Sequence, residues 1–131
     1  MRVLGIYETV LYASDTALAA GFYSDALGLP LLEEADELSA ILGLDDGGVL
    51  LIFNPELSSA PGRRVPSHGA EGAGHVAFSV EEGALDAFAE ELGSRGIEIE
   101  REIKWKPGAR SLYFRDPAGN SVELVEGELW R

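Results

Sequence analysis

Residues 111–127 read SLYFRDPAGNSVELVEG, and the parsing of the whole chain starts from them. The runs at 111–114 and 121–125 are rich in Leu, Tyr, Phe and Val, side chains that pack well on a pleated surface, so both are predicted strands. Asp116-Pro117-Ala118-Gly119 supplies the turn between them: Pro presets φ, Gly admits positive φ, and Asp can bond back to the backbone. Side chains alternate along a strand, so Val122 and Leu124 take one face and Glu123 the other. A carboxylate flanked by apolar neighbours needs a partner, because burying an unpaired charge costs several kcal/mol.

Working upstream, 97–103 reads as another extended run. Before it, a helix opens at Glu81-Glu82, keeps Leu85, Phe88, Ala89 and Leu92 on one face, and ends at Gly96. His75–Val80, HVAFSV, is a strand in which His75, Ala77 and Ser79 share one face. The order is βαβββ, and the first half of the chain repeats it. A strand at 5–13 precedes a helix at 15–27 that either Ser14 or Asp15 can cap and Gly28 stops, with Leu18, Phe22 and Leu27 near helical spacing. Three strands follow at 29–34, 38–44 and 49–54, the last two divided by Asp45-Asp46-Gly47-Gly48. The landmarks keep register: Glu8 to His75 is 67 positions, Gly28 to Gly96 is 68, and Asp45 to Asp116 is 71. Trp105, Lys106 and Pro107 fall in the insertion that lengthens the second half. The stretch PELSSAPGRRVPSHGAEGAG between the halves has no periodicity and reads as a loop. The predicted organisation is one domain over 1–131, with module one at 1–54, a linker loop at 55–73 and module two at 74–131.

The chain has 131 residues and 46% hydrophobic content, enough for one real core. It has no cysteine, which excludes disulfides, thiolate metal sites and cysteine nucleophiles, so any metal must take oxygen and nitrogen ligands. A formal charge of −13 repels phosphate backbones and anionic membranes, so neither nucleic acid nor a membrane is an expected partner. No signal-like or membrane-spanning run is present, and the expected location is cytoplasmic.

The segments AAGFYSDALGLPL, GHVAFSV and SLYFRDPAGNSVELVEG resemble the vicinal oxygen chelate superfamily: glyoxalase I, bleomycin-resistance proteins, fosfomycin-resistance enzymes and extradiol dioxygenases. The resemblance implies an α+β fold of two βαβββ modules forming a cupped mixed sheet with helices on its convex face. It also implies ligands for one divalent metal at Glu8, His75 and Glu123. Two carboxylates with one imidazole suit Mn, Fe(II), Co, Ni or Zn, with the extra negative charge favouring Mn or Fe(II). Glyoxalase I has a fourth ligand, a carboxylate on the last strand of module one, where the run 49–53 here offers none. Three protein ligands leave positions open for a bidentate substrate or water.

Tyr113 matches a tyrosine that points at the substrate in the resembled enzymes, and a phenol there can donate to an oxyanion. Lys104 and Lys106 lie where fosfomycin-resistance enzymes place cationic substrate contacts. Phe53 and Trp105 are candidate substrate-contacting aromatics; Trp105 and Trp130 can line a pocket or a dimer contact, although large aromatics more often pack. His68, in the linker, is a candidate general acid or base. The expected function is a metal-dependent lyase, transferase or dioxygenase that chelates vicinal oxygens of a small molecule and stabilises an oxyanion or enolate. The alternative is a metal-free binding or drug-sequestration protein of the bleomycin-resistance type. In the resembled families two such modules often complete each other's cups, so a homodimer is expected.

Overall fold

A computed structural model describes residues 1–105 and 108–130. The chain divides into two compact units, Met1–Gly72 and Ala73–Arg131, and each builds its own four-stranded mixed sheet. Unit one contains β1 (Glu8–Tyr12), α1 (Thr16–Leu27), β2 (Leu31–Glu33), β3 (Ser39–Gly43), β4 (Val49–Phe53) and the short α2 (Pro55–Ser58). Unit two contains β5 (His75–Val80), α3 (Leu85–Ser94), β6 (Arg101–Lys104), β7 (Arg110–Arg115) and β8 (Ser121–Glu126). The sheets have the orders β1-β4-β3-β2 and β5-β8-β7-β6. In each, the first strand runs parallel to the last and the remaining pairs are antiparallel. The predicted repeat is therefore present strand for strand, as two sheets.

One face of each sheet is covered by its own helix. In unit one Ala40, Leu42, Leu50 and Ile52 are buried on that face, and in unit two Leu112, Phe114, Val122 and Leu124. Helix α1 is capped by Asp15, whose carboxylate accepts from the Leu18 amide, and closed by Gly28 at φ 70. Its buried stripe is Thr16, Ala19, Ala20, Tyr23 and Ala26. That corrects the expected stripe: Leu18 is 57% exposed, and Phe22 and Leu27 are half-buried. Small alanines let the helix backbone approach the sheet, an advantage that hydropathy ranking does not register. In α3 the expected Leu85 and Leu92 are both fully buried.

Several boundaries also move. The first strand begins at Glu8, and Ile6 and Tyr7 before it are each 80% exposed. The extended run predicted at 97–103 becomes a strand only at Arg101, with the Glu100 amide just before it donating to the Tyr113 carbonyl at 2.8 Å. The linker expected to be structureless carries α2, with Pro55 in its first turn and the Asn54 side chain accepting from the Glu56 amide. It folds back on itself: the His68 amide donates to the Ser58 carbonyl at 2.9 Å, and the Ser58 hydroxyl to the His68 carbonyl at 2.7 Å. No helix among the described residues is long and apolar enough to cross a membrane.

Candidate functional site

The face of sheet two that α3 leaves open collects the polar side chains. Alternation sends Ser111 and Tyr113 of β7, and Ser121, Glu123 and Val125 of β8, to that face. Strand β5 pairs with β8 in parallel, His75 opposite Ser121 and Ala77 opposite Glu123, so His75 lies one step diagonally from Glu123. The two meet: His75 Nε2 is 3.2 Å from Glu123 Oε1. Glu123 is only 6% exposed, so its charge lacks bulk water and depends on these neighbours.

Each member is fixed from behind. His75 Nδ1 lies 3.1 Å from the Ser121 carbonyl and 3.2 Å from the Ser121 hydroxyl. These contacts hold the ring so that Nε2 is the nitrogen turned to Glu123. The other Glu123 oxygen accepts from Ser111, with Ser111 Oγ to Oε2 at 2.6 Å, and Ser111 in turn accepts from the Trp105 indole at 2.9 Å. The turn at Asp116-Pro117-Ala118-Gly119, with Asn120 after it, holds the start of β5. Asp116 accepts from the Ala118 and Asn120 amides and from the Asn120 side chain. The Asn120 side-chain oxygen accepts from the Gly74 amide at 2.8 Å, and the Ser121 amide donates to the Gly74 carbonyl at 2.9 Å. These bonds set the position of His75, the next residue.

Tyr113 stands directly across from Glu123 in the β7–β8 register, and its ring stacks near the His75 imidazole with centroids 6.4 Å apart. Burial raises its pKa above the ordinary phenol value, and its hydrogen bond to Glu123 and the carboxylate's charge raise it further. The phenol is therefore a proton-bearing donor at neutral pH. The same row continues to Arg101 on β6, opposite Tyr113, and beside it opens a cavity of about 390 Å³ lined by Glu100, Arg101, Ile103, Tyr113, Arg115 and Ser121. Arg115 is paired with Glu100 at 2.9 Å. Arg101 has no ion pair among the described residues.

The remaining candidates are distributed elsewhere. Lys104 alternates to the helix side of β6 with Glu102, whose carboxylate meets Arg110 at 2.6 Å, and its charge acts on Asp86 of α3. It is on the opposite face from His75 and Glu123. Lys106 lies outside the described residues. Trp105 closes the β6–β7 connection, its amide bonded to the Ala109 carbonyl at 2.8 Å, and Trp130 is 91% exposed rather than packed. Glu8 is an exposed residue at the start of β1 in unit one. In unit one His68 Nδ1 pairs with the Tyr12 hydroxyl at 2.7 Å, and its ring meets Phe53 edge-on at 4.7 Å. Among the described residues no group of three His, Cys, Asp or Glu side chains is gathered as a metal cage.

Register identifies the position in unit one that corresponds to Glu123. Leu51 pairs with Val10 and Ile41 as Glu123 pairs with Ala77 and Tyr113. An apolar residue thus occupies the one place where sheet one could have matched the carboxylate. Ser111 and Asn120 escaped sequence reasoning. Period two places Ser111 on the face of Tyr113, and that signal was sufficient for it; for Asn120 no local signal reaches across to Gly74.

Comparison with known proteins places the chain in a family. The family model of the glyoxalase/bleomycin resistance protein/dioxygenase superfamily matches residues 5–124. The metallothiol transferase FosB of Bacillus licheniformis is 28% identical over 130 residues, covering 98% of this chain and 79% of that protein. The uncharacterized protein YaeR of Escherichia coli is 31% identical over 132 residues, covering 92% and 95%. Among solved structures, a lactoylglutathione lyase from Agrobacterium tumefaciens superposes with a TM-score of 0.92 at 36% identity, covering 99% of this chain and 98% of that one. The chain belongs to the glyoxalase/bleomycin resistance protein/dioxygenase superfamily, the vicinal oxygen chelate proteins. Its glyoxalase, FosB and dioxygenase members use divalent metals, and the family typically binds small molecules.

Proposed function

We propose that the chain is a metal-dependent enzyme acting on a small, anionic substrate at the open face of sheet two. The observation that carries this reading is the His75–Glu123 pair at 3.2 Å, with both outer atoms already engaged. An imidazole whose Nδ1–H is held by a carbonyl offers Nε2 to a metal, and ligating carboxylates are typically hydrogen-bonded from behind. The donor set therefore fits a divalent cation held by His75 and Glu123. Glu8 is the third ligand that the family resemblance implies, and its share is read from its own substitution. A bound cation would supply charge stabilisation for an oxyanion or enolate on the substrate's vicinal oxygens.

The protein's own groups have separable tasks. Tyr113 keeps its proton and donates it in a hydrogen bond to developing negative charge. Arg101, one strand further along the same row, attracts an anionic group into the adjoining cavity. His68, hydrogen-bonded to Tyr12, is the second candidate acid or base, and Phe53 beside it a candidate contact for an apolar part of the substrate.

The test is metal analysis of protein purified without chelators, alongside His75→Ala, Glu123→Ala and Glu8→Ala. Near-stoichiometric Mn, Fe, Co, Ni or Zn, lost in the first two variants and weakened in the third, is expected. Metal-free protein that binds aromatic or cationic drugs equally well in all variants would replace the enzyme reading with sequestration of the bleomycin-resistance type. The solution state is proposed to be a homodimer, supported by the exposed apolar Met1, Val3, Leu4, Ile6 and Tyr7, and a monomer by light scattering would refute that.

A further inference from the structure

Trp105, Ser111 and Glu123 form a chain of hydrogen bonds whose direction is dictated by the chemistry of its members. An indole N–H only donates and a carboxylate only accepts, so the single hydroxyl proton of Ser111 must go to Glu123 while its oxygen receives the indole. The distances are 2.9 Å for Trp105 Nε1 to Ser111 Oγ and 2.6 Å for Ser111 Oγ to Glu123 Oε2. Ser111 has no exposed surface, so water does not compete for its hydroxyl. A hydrogen bond of this length to a charged oxygen is of the stronger, charge-assisted kind.

The relay is anchored at its far end. The Trp105 amide bonds to the Ala109 carbonyl at 2.8 Å, which closes the β6–β7 connection. That connection is pressed against the residue following β8: a Cβ on Gly127 would lie 3.1 Å from the Gly108 carbonyl oxygen. Trp105 and Ala109 are thereby tied to each other, and Gly108 lies close against Gly127.

We propose that Trp105 and Ser111 are positioning residues for Glu123, holding Oε2 so that Oε1 alone is presented beside His75 Nε2 as a donor to a divalent cation. This rests on the metal reading above. The terminal torsion of a glutamate is broad and nearly free, so an unrestrained carboxylate swings between one-oxygen and two-oxygen ligation. With Oε2 occupied, Glu123 would offer a bound cation a single oxygen, leaving more of its positions to substrate. The indole polarises the hydroxyl and fixes where it points.

The experiment titrates Co(II) into metal-free protein carrying Trp130→Phe, which removes the exposed second tryptophan and leaves Trp105 as the emitting group. Visible absorption reports the coordination geometry and Trp105 emission reports the relay, while thermal unfolding of the metal-free variants checks the fold. Ser111→Ala is expected to weaken Co(II) binding by about 10- to 100-fold and to change the absorption spectrum, the range found when outer partners of metal ligands are removed. Trp105→Phe, which keeps the ring and loses the donor, is expected to weaken it by about tenfold, and Ser111→Thr, which keeps the hydroxyl, to restore most of the affinity. If Ser111→Ala does not fold, Trp105→Phe decides. Parent protein that binds Co(II) while Ser111→Ala and Trp105→Phe match its affinity and spectrum overturns the relay and leaves the metal reading standing. Parent protein that takes up no more Co(II) than Glu123→Ala overturns both.

Discussion

Laid register on register, sheet one presents Glu8, Leu51, Ile41 and Ser39 where sheet two presents His75, Glu123, Tyr113 and Ser111. The backbones repeat and the chemistry does not. Leu51 is 8% exposed and Glu123 6%, so depth does not distinguish the two positions. What distinguishes them is company. Glu123 has a hydroxyl, an imidazole and a phenol within reach, which together offset the cost of taking its charge out of water. Ile41 and Leu51 offer each other only apolar contact, and Ser39 shows no side-chain bond among the described residues. A duplicated scaffold thus tolerates a one-sided site, provided all the supporting groups stay on the same side as the charge.

This contrast can be broken most severely at its centre. Glu123→Ala is expected to abolish divalent-metal binding measured by calorimetry, while Leu51→Ala, at the matching position, leaves it unchanged. The reverse change, Leu51→Glu, places a carboxylate where nothing receives it and is expected to cost about 2–4 kcal/mol in urea unfolding, combining lost apolar burial with an unpaired buried charge.

The serines sharpen the same point on a smaller scale. Ser111→Ala leaves both the Trp105 indole and one Glu123 oxygen without their partner and is expected to destabilise by about 1–3 kcal/mol. Ser39→Ala, at the equivalent position, should stay within about 0.5 kcal/mol. Near the same magnitude, Gly127→Ala adds a Cβ against the Gly108 carbonyl at φ 84 and is expected to cost about 1–2 kcal/mol, seen as a lowered Tm.

The smallest effect is electrostatic. Tyr113 is raised above 10.0 by burial and by Glu123, whereas Ile41 has nothing to titrate. A raised folded value means its contribution to stability is complete below about pH 10 and is lost as pH climbs through the folded value. In metal-free Glu123→Gln the Tyr113 transition, followed by phenolate absorbance, is expected to move down toward the ordinary value. No movement would show that burial alone sets it.

The repeat was legible because Gly28 and Gly96, the two Asp-x-x-Gly turns and the alternating strands are local signals, and β4 and β5 were placed almost to the residue. The shared face of His75 and Glu123 was legible too, since period two put both away from their apolar neighbours, while their choice as ligands came from the family resemblance. The stripe of α1 was misread because Ala19, Ala20 and Ala26 gain their place from close approach to the sheet and not from hydropathy. The groups behind the site were invisible for a different reason. Asn120 reaches Gly74 over 46 positions, and Trp105 reaches Ser111 through the β6–β7 connection, and neither partnership has a sequence period. Lys104 was proposed from its place in the resembled family, while strand parity sends it to the helix side.

The two helices also differ in how they begin. Helix α1 carries its own cap in Asp15, whereas α3 has no side-chain cap in its preceding residue, Ala84. The Leu85 amide is instead received by Glu126 at 3.1 Å, from a strand 41 positions later, and Arg110 bridges that strand region to Asp86 at 2.8 Å. The first turn of α3 is therefore completed only when the final strand arrives, so its consolidation waits on a long loop closure while α1 can form from neighbours alone. In pulsed hydrogen exchange during refolding, the amides of α1 should gain protection early, and those of α3 together with β8.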